Sequence, residues 1–161
     1  MSHLSRRMTH ALRHDPLSYG LIPGLKGEVK VYELADALGV SVGTIYEIHD
    51  RDPKGRFVVE GADIRAAQGH SIDIDPVGAP SCAPLFLWHG TWASNIDDIL
   101  AQGLLPMERT HVHLSGHREI ARTRGNVVLR IPSAGVEGLV MAANGVWLTK
   151  RVPPNHIMWE Y

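Results

Sequence analysis

Residues 75–84 read Asp-Pro-Val-Gly-Ala-Pro-Ser-Cys-Ala-Pro, with three prolines and one glycine. Proline fixes φ and removes a backbone donor, and no apolar period of 2 or 3.6 runs through the stretch. A linker is therefore predicted, dividing the chain into a lobe over 1–74, a connection over 75–84 and a second lobe over 85–161. The full chain of 161 residues is long enough for one average domain or two small lobes.

The two lobes have different periodicities. In the first, Leu4, Met8, Ala11 and Leu12 recur at helical spacing until Pro16 stops them. Val31, Leu34, Ala35 and Leu38 repeat the pattern, with Gly39 placed to end the helix. Ser41 can cap a third helix carrying Val42, Ile45 and Ile48. A turn at Asp52-Pro53-Lys54-Gly55 leads into the strand-like Phe57-Val58-Val59, and Ile64 onward returns as its partner. Three helices followed by a hairpin is the order of a winged helix.

The second lobe has several short strands and few helices. Leu85-Phe86-Leu87-Trp88 reads as a buried strand ending in a polar turn, His89-Gly90-Thr91. Ile96, Ile99 and Leu100 form one helical face stopped by Gly103. Further strands are predicted at His111–Ser115, Val127–Ile131 and Gly145–Thr149. The fold class is α+β, with a compact β-rich second lobe.

Composition narrows the function. Hydrophobic residues make up 44% and charged residues 20%, ordinary for a soluble globular protein. The formal net charge of -1 excludes a protein that coats long nucleic acid, so any nucleic-acid contact is local. Cys82 is the single cysteine, which rules out an internal disulfide framework or a Cys-x-x-Cys knuckle and favours a reducing compartment. No apolar run is long enough to span a bilayer, and no apolar signal core follows the N-terminal residues. A cytoplasmic monomer without membrane contact is expected.

Four distant segments carry the polar chemistry: Leu12-Arg13-His14, Ile64-Arg65-Ala66-Ala67-Gln68-Gly69-His70-Ser71, His89-Gly90-Thr91 and Arg109-Thr110-His111-Val112-His113-Leu114-Ser115. Arg presents a planar fork of donors matched to phosphate oxygens, and His adds a donor or proton carrier near neutral pH. If these segments converge, they form a pocket for a phosphate-rich substrate. Each has a plain alternative. Arg13 and His14 can simply complement the dipole of a helix C-terminus. Gln68, His70 and Ser71 can close a polar turn around Gly69, and Arg56 with Lys54 can extend a basic surface. Arg118, Arg122 and Arg124 can be a solvated helix face. His111 and His113 have a metal-ligand spacing, but no His-Glu-x-x-His or cysteine pair supports them, and no metal is expected.

Taken together, Leu4-Ser5 with Leu12-Arg13-His14, Lys54-Gly55-Arg56-Phe57, the Ile64–Ser71 segment, His89-Gly90-Thr91, Gly103-Leu104 with Met107-Glu108-Arg109-Thr110-His111-Val112-His113-Leu114-Ser115, and Asn144–Thr149 resemble the RNA 2′-phosphotransferase family, the KptA-like enzymes. The resemblance runs from residue 4 to about 154 in family order. It implies an N-terminal winged-helix lobe and a C-terminal lobe of the ADP-ribosyltransferase fold. It also implies a reaction in which NAD⁺ is co-substrate and an internal RNA 2′-phosphate, typically at a tRNA splice junction, is removed through an ADP-ribosylated phosphate. The products are RNA with a 2′-hydroxyl, ADP-ribose 1″,2″-cyclic phosphate and nicotinamide.

By the same resemblance Arg13, His14, Arg65 and a later arginine are catalytic. Arg122 is favoured by counting back from the Val127 strand, with Arg124 as the alternative. His89, Gly90, Thr91, Arg109, His111, His113 and Ser115 would line the NAD⁺ site, and Arg56, Gln68, His70 and Ser71 would contact RNA. Three rivals remain: an ADP-ribosyltransferase that stops on a terminal phosphate of RNA or DNA, a metal hydrolase, and a winged-helix DNA-binding regulator. The regulator is disfavoured because the third helix, Val42 to His49, carries no Arg or Lys.

Overall fold

A computed structural model describes residues 3–75, 78–79 and 81–159. The chain divides into two compact units, Met1–Val77 and Gly78–Tyr161. Pro76, Val77 and Pro80 of the expected linker lie outside the described residues.

The first unit opens with α1 (His3–Arg13), which buries Ser5, Met8, Ala11 and Leu12 on one stripe. Then come β1 (Val29–Lys30), α2 (Val31–Leu38), α3 (Val42–Asp50), β2 (Phe57–Glu60) and β3 (Asp63–Ala66). The expected stop and start signals operate. Gly39 takes the left-handed conformation at φ 69° and its N–H donates to the Ala35 and Asp36 carbonyls. The Ser41 hydroxyl accepts from the Thr44 N–H at 3.1 Å and caps α3. The β2–β3 hairpin pairs Val58 with Arg65 and Glu60 with Asp63. The two-residue β1 adds to the other edge of β3, giving an antiparallel sheet of order β1-β3-β2. Met8, Leu12, Leu34, Ile45 and Ile64 form the centre of this unit's core.

The second unit contains β4 (Gly78–Ala79), β5 (Phe86–Thr91), α4 (Ile96–Gln102), β6 (Val112–Leu114), α5 (Arg118–Arg122), β7 (Val127–Pro132), β8 (Val140–Ala142), β9 (Trp147–Thr149) and β10 (Met158–Trp159). Its strands make two antiparallel sheets, of order β10-β7-β5 and β4-β8-β9-β6. Backbone bonds in both directions between Trp88 and Ser115, each 2.8 Å, join β5 to the end of β6. Leu87, Leu114, Leu129, Ile131 and Val152 fill the core. Helices and antiparallel sheets in both units give the α+β class that the periodicities predict. No helix among the described residues is long and apolar enough to cross a membrane.

The structure departs from the sequence reading at three places. His89-Gly90-Thr91 is not a turn: it is the second half of β5, paired residue by residue with Leu129, Val128 and Val127. Gly90 is required there by close packing, because a Cβ would lie 1.8 Å from the Ala121 carbonyl oxygen. Within the proline-rich stretch, Gly78 and Ala79 form a strand against Ala142 and Met141. Leu100, expected on the buried face of its helix, is 44% exposed.

The turn before β2 rests on a charge pair. Asp52 has a side chain only 2% exposed and Arg56 one 17% exposed. The Asp52 carboxylate accepts from the Arg56 backbone N–H at 2.6 Å, from Nε at 2.9 Å and from Nη2 at 2.6 Å. Burial alone would raise the Asp52 pKa, but the bonds from Arg56 outweigh it and hold the carboxyl below its usual value. Stability from this pair is therefore present above the unfolded carboxyl's pKa near 3.8 and is lost as pH falls through the lower folded value. Asp52→Ala leaves a largely buried guanidinium without its main partner, and a loss of about 3 kcal/mol in denaturant unfolding is expected.

Candidate functional site

In the first unit the catalytic candidates gather where the chain leaving β3 returns to the end of α1. The last carbonyls of a helix lack internal partners. The Arg13 carbonyl finds one in the Ser71 N–H, at 2.9 Å. Ser71 Oγ and His14 Nδ1 are then 2.9 Å apart. The Arg13 guanidinium lies over Gly69, where a Cβ would stand 3.3 Å from Nη1 and 3.4 Å from Cζ. Gly69 also has φ +89°, a backbone region side chains disfavour. Arg13, His14, Gly69 and Ser71, far apart in sequence, thus form one local cluster.

Arg65 occupies the outer side of β3, with its side chain 13% exposed. Its polar contacts are long: Nη2 to the Glu60 carboxylate at 3.4 Å and Nη1 to the Ala66 carbonyl at 3.5 Å. Its Nε and the Gln68 Oε1 are buried with no hydrogen-bond partner among the described residues. The guanidinium borders a cleft of about 260 Å³ within this unit, alongside Leu25, Lys26, Val58 and Glu60.

Two residues expected at the RNA surface have other duties. His70 is 1% exposed, and its ring lies beneath Gly27, 3.1 Å from where a Cβ would stand. It packs the 21–28 loop. Arg56 is bonded to Asp52, as described above.

The second unit holds a separate cluster. His89 Nδ1–H donates to the His113 carbonyl at 3.0 Å, which fixes the ring and its tautomer. The Arg109 guanidinium bonds the His113 ring at Nδ1. Partial burial and, next, the charge of Arg124 lower the Arg109 pKa from its ordinary value. Arg124 also packs against β5, its Cβ 2.9 Å from the position a Gly90 Cβ would take. Gly125 closes the same junction, where a Cβ would meet the Thr91 carbonyl oxygen at 1.9 Å. Arg122, on the last turn of α5, and Arg124 are both exposed. Thr91 is buried, and its hydroxyl accepts from Asn95 Nδ2 at 3.3 Å. The Ser115 hydroxyl closes a turn, donating to the His117 carbonyl at 2.9 Å. His111 is buried, with Nδ1 2.9 Å from the Thr110 hydroxyl. Among the described residues no three His, Cys, Asp or Glu side chains gather as metal ligands.

A model of the "RNA 2′-phosphotransferase, Tpt1 / KptA family" matches residues 1–151. The chain belongs to the RNA 2′-phosphotransferase family. It is 39% identical to a probable RNA 2′-phosphotransferase of Rhizobium leguminosarum bv. trifolii over 96% of its own length and 91% of that protein. It is 40% identical to one from Streptomyces coelicolor, over 96% and 92% of the two chains. It is 36% identical to one from Thermococcus kodakarensis, over 96% and 94%. These are all named probable RNA 2′-phosphotransferases.

In this RNA 2′-phosphotransferase family member, two local features have no clear signal in the sequence. Asp52 gave no signal beyond its place in a turn. Met107 enters the sequence reading only within the Met107–Ser115 motif. It is the one non-glycine residue with positive φ (57°) among the described residues, and it stands 84% exposed two positions before Arg109.

Half-buried His89 and buried His111 set a pH dependence. Burial lowers the His89 pKa below 6.5, and the bond to the His113 carbonyl only partly opposes this. Burial and then Lys150 lower that of His111. The unfolded chain therefore takes up protons at these positions before the folded one does. Stability is full above the unfolded value near 6.5 and declines as pH falls below it. The denaturant midpoint is expected to drop from pH 7.5 to 5.5, with a shallower slope in His89→Asn; equal slopes would remove His89 from the account.

Proposed function

We propose that this chain is an NAD⁺-dependent RNA 2′-phosphotransferase that removes an internal 2′-phosphate from RNA and forms ADP-ribose 1″,2″-cyclic phosphate. The observation that carries the reading is the Arg65 guanidinium, mostly buried yet held, among the described residues, only by contacts of 3.4 and 3.5 Å, with Nε unpartnered there. A buried guanidinium with this much unused donor capacity suits a phosphate, which can accept from two of its nitrogens at once. Family membership supplies the substrate class. The element order α1-β1-α2-α3-β2-β3 in the first unit supports a winged helix, and the paired antiparallel sheets of the second support an ADP-ribosyltransferase-like lobe.

In this reading Arg65 and Arg13 hold the RNA 2′-phosphate, and His14 binds it and carries a proton. NAD⁺ supplies the electrophilic ribose carbon, nicotinamide as leaving group and the 2″-hydroxyl. The second unit's residues fit it as co-substrate. The like charges of Arg109 and Arg124 repel, and an anion such as a pyrophosphate would relieve that repulsion. His89 and His113, fixed by their own bonds, complete the polar wall.

A phosphate oxygen of the RNA first forms a bond to the ribose C1″, and the C1″–nitrogen bond breaks with its electron pair leaving on nicotinamide. A phosphate dianion needs positioning more than a base for this step, which is what two arginines provide. Attack of the 2″-oxygen on phosphorus then breaks the bond to the RNA 2′-oxygen. One proton leaves the 2″-hydroxyl and one arrives on the RNA 2′-oxygen, so protons balance through His14. Charge that builds on the phosphoryl oxygens is met by the guanidinium groups.

The test is incubation with NAD⁺ and a short oligoribonucleotide bearing one internal 2′-phosphate, with products resolved by mass. Loss of the phosphate together with a cyclic ADP-ribose phosphate is expected. An RNA left heavier by ADP-ribose would instead support a transferase that stops at the first step. Arg65→Ala is expected to lower the rate by roughly 10²-fold or more; a variant within about twofold of wild type would contradict the role given to Arg65. The contact of Arg124 with β5 and its proximity to Arg109 favour it over Arg122 as the last catalytic arginine. Arg124→Ala should therefore lose on the order of 10²-fold while Arg122→Ala stays within about threefold; the reverse pattern restores Arg122.

A further inference from the structure

Ser71 stands in an unusual relation to His14. Its backbone N–H is tied to the Arg13 carbonyl at 2.9 Å, so its Cα is held at the end of α1. From there its hydroxyl reaches the ring of the next residue, 2.9 Å from His14 Nδ1. We propose that Ser71 is a positioning residue for His14, fixing the ring by Nδ1 and presenting Nε2 to the RNA phosphate, rather than a residue that contacts RNA itself.

The choice of a hydroxyl is the chemical argument. A carbonyl or carboxylate at Nδ1 can only accept, and so favours a protonated Nδ1 in every state. A backbone N–H can only donate, and so opposes formation of the imidazolium. A serine hydroxyl does either. With neutral His14 the Ser71 O–H donates to Nδ1, which places the ring proton on Nε2, where it can donate to a phosphate oxygen. With protonated His14 the hydroxyl rotates and accepts from Nδ1–H. The ring keeps its orientation while its proton comes and goes, as a proton carrier requires.

This inference rests on the proposed function for its kinetic arm, and a spectroscopic arm is independent of it. Ser71→Ala removes the hydroxyl and leaves the backbone tie to Arg13 in place, whereas Ser71→Thr keeps the hydroxyl. With NAD⁺ and 2′-phosphorylated RNA, Ser71→Ala is expected to lower kcat by roughly 10- to 100-fold, by analogy with the loss when the hydrogen-bonded partner of a metal-bound imidazole is removed. The RNA KM should stay within about threefold, the pH–rate profile should shift, and Ser71→Thr should recover most of the loss. In the protein alone, ¹⁵N spectra of the neutral His14 ring should show Nδ1 as an acceptor and Nε2 as protonated in wild type and Ser71→Thr, with a changed pattern in Ser71→Ala. A raised KM with unchanged kcat would make Ser71 an RNA contact and overturn the proposal. So would identical His14 spectra in wild type and Ser71→Ala. A wild-type protein with no product from NAD⁺ and 2′-phosphorylated RNA would count against the proposed function alone, because the His14 spectra would still decide the pairing.

Discussion

The amide of Ser71 and the carbonyl of Arg13, 2.9 Å apart, tie together residues separated by most of the first unit. Without that tie the end of α1 would present an open carbonyl and a loose Arg-His pair to solvent. With it, the chain leaving β3 lies under the Arg13 guanidinium at Gly69 and beside the His14 ring at Ser71. A helix terminus is a poor place to hold side chains still, because helix ends fray. Anchoring it to the chain that leaves a paired strand gives the cluster the rigidity of the sheet.

Electrostatics in the protein is organised locally. A net charge of -1 offers no long-range pull on a polyanion. The first unit instead holds Arg65 on long contacts, and in the second unit the charge of Arg124 is felt at Arg109, after the larger effect of burial. Elsewhere charge is neutralised at short range, as in Lys30 with Asp63 at 2.7 Å and Arg56 with Asp52 at 2.6 Å. Arg56, bonded three times to Asp52, holds a turn of the fold, whereas Arg65 keeps only long contacts among the described residues.

Much of the first unit was legible because its helices repeat apolar residues over two turns and carry an explicit stop at Gly39 and an explicit start at Ser41. The two-residue strands β1, β4 and β10 were not, since alternation cannot be read over two positions. His89-Gly90-Thr91 looked like a turn because glycine usually marks one; here it marks the close approach of α5, a tertiary fact. The Arg-His segments were legible as chemistry, but their partners were not. Whether Arg56 faces solvent depends on Asp52 folding back on it, and whether His70 does depends on the loop around Gly27. Counting residues back from a strand could not separate Arg122 from Arg124, because the side of a short helix end that faces β5 is set by packing.

Gly90 and Gly125 interlock, each bringing its backbone against a carbonyl of the other segment, Ala121 for Gly90 and Thr91 for Gly125. Two backbones in direct contact leave almost no compliance at that seam, and Arg124 emerges right beside it. Its placement is therefore inherited from missing atoms: a single methyl group at either glycine would wedge the seam open and swing a cation away from its neighbour, with no charged residue altered.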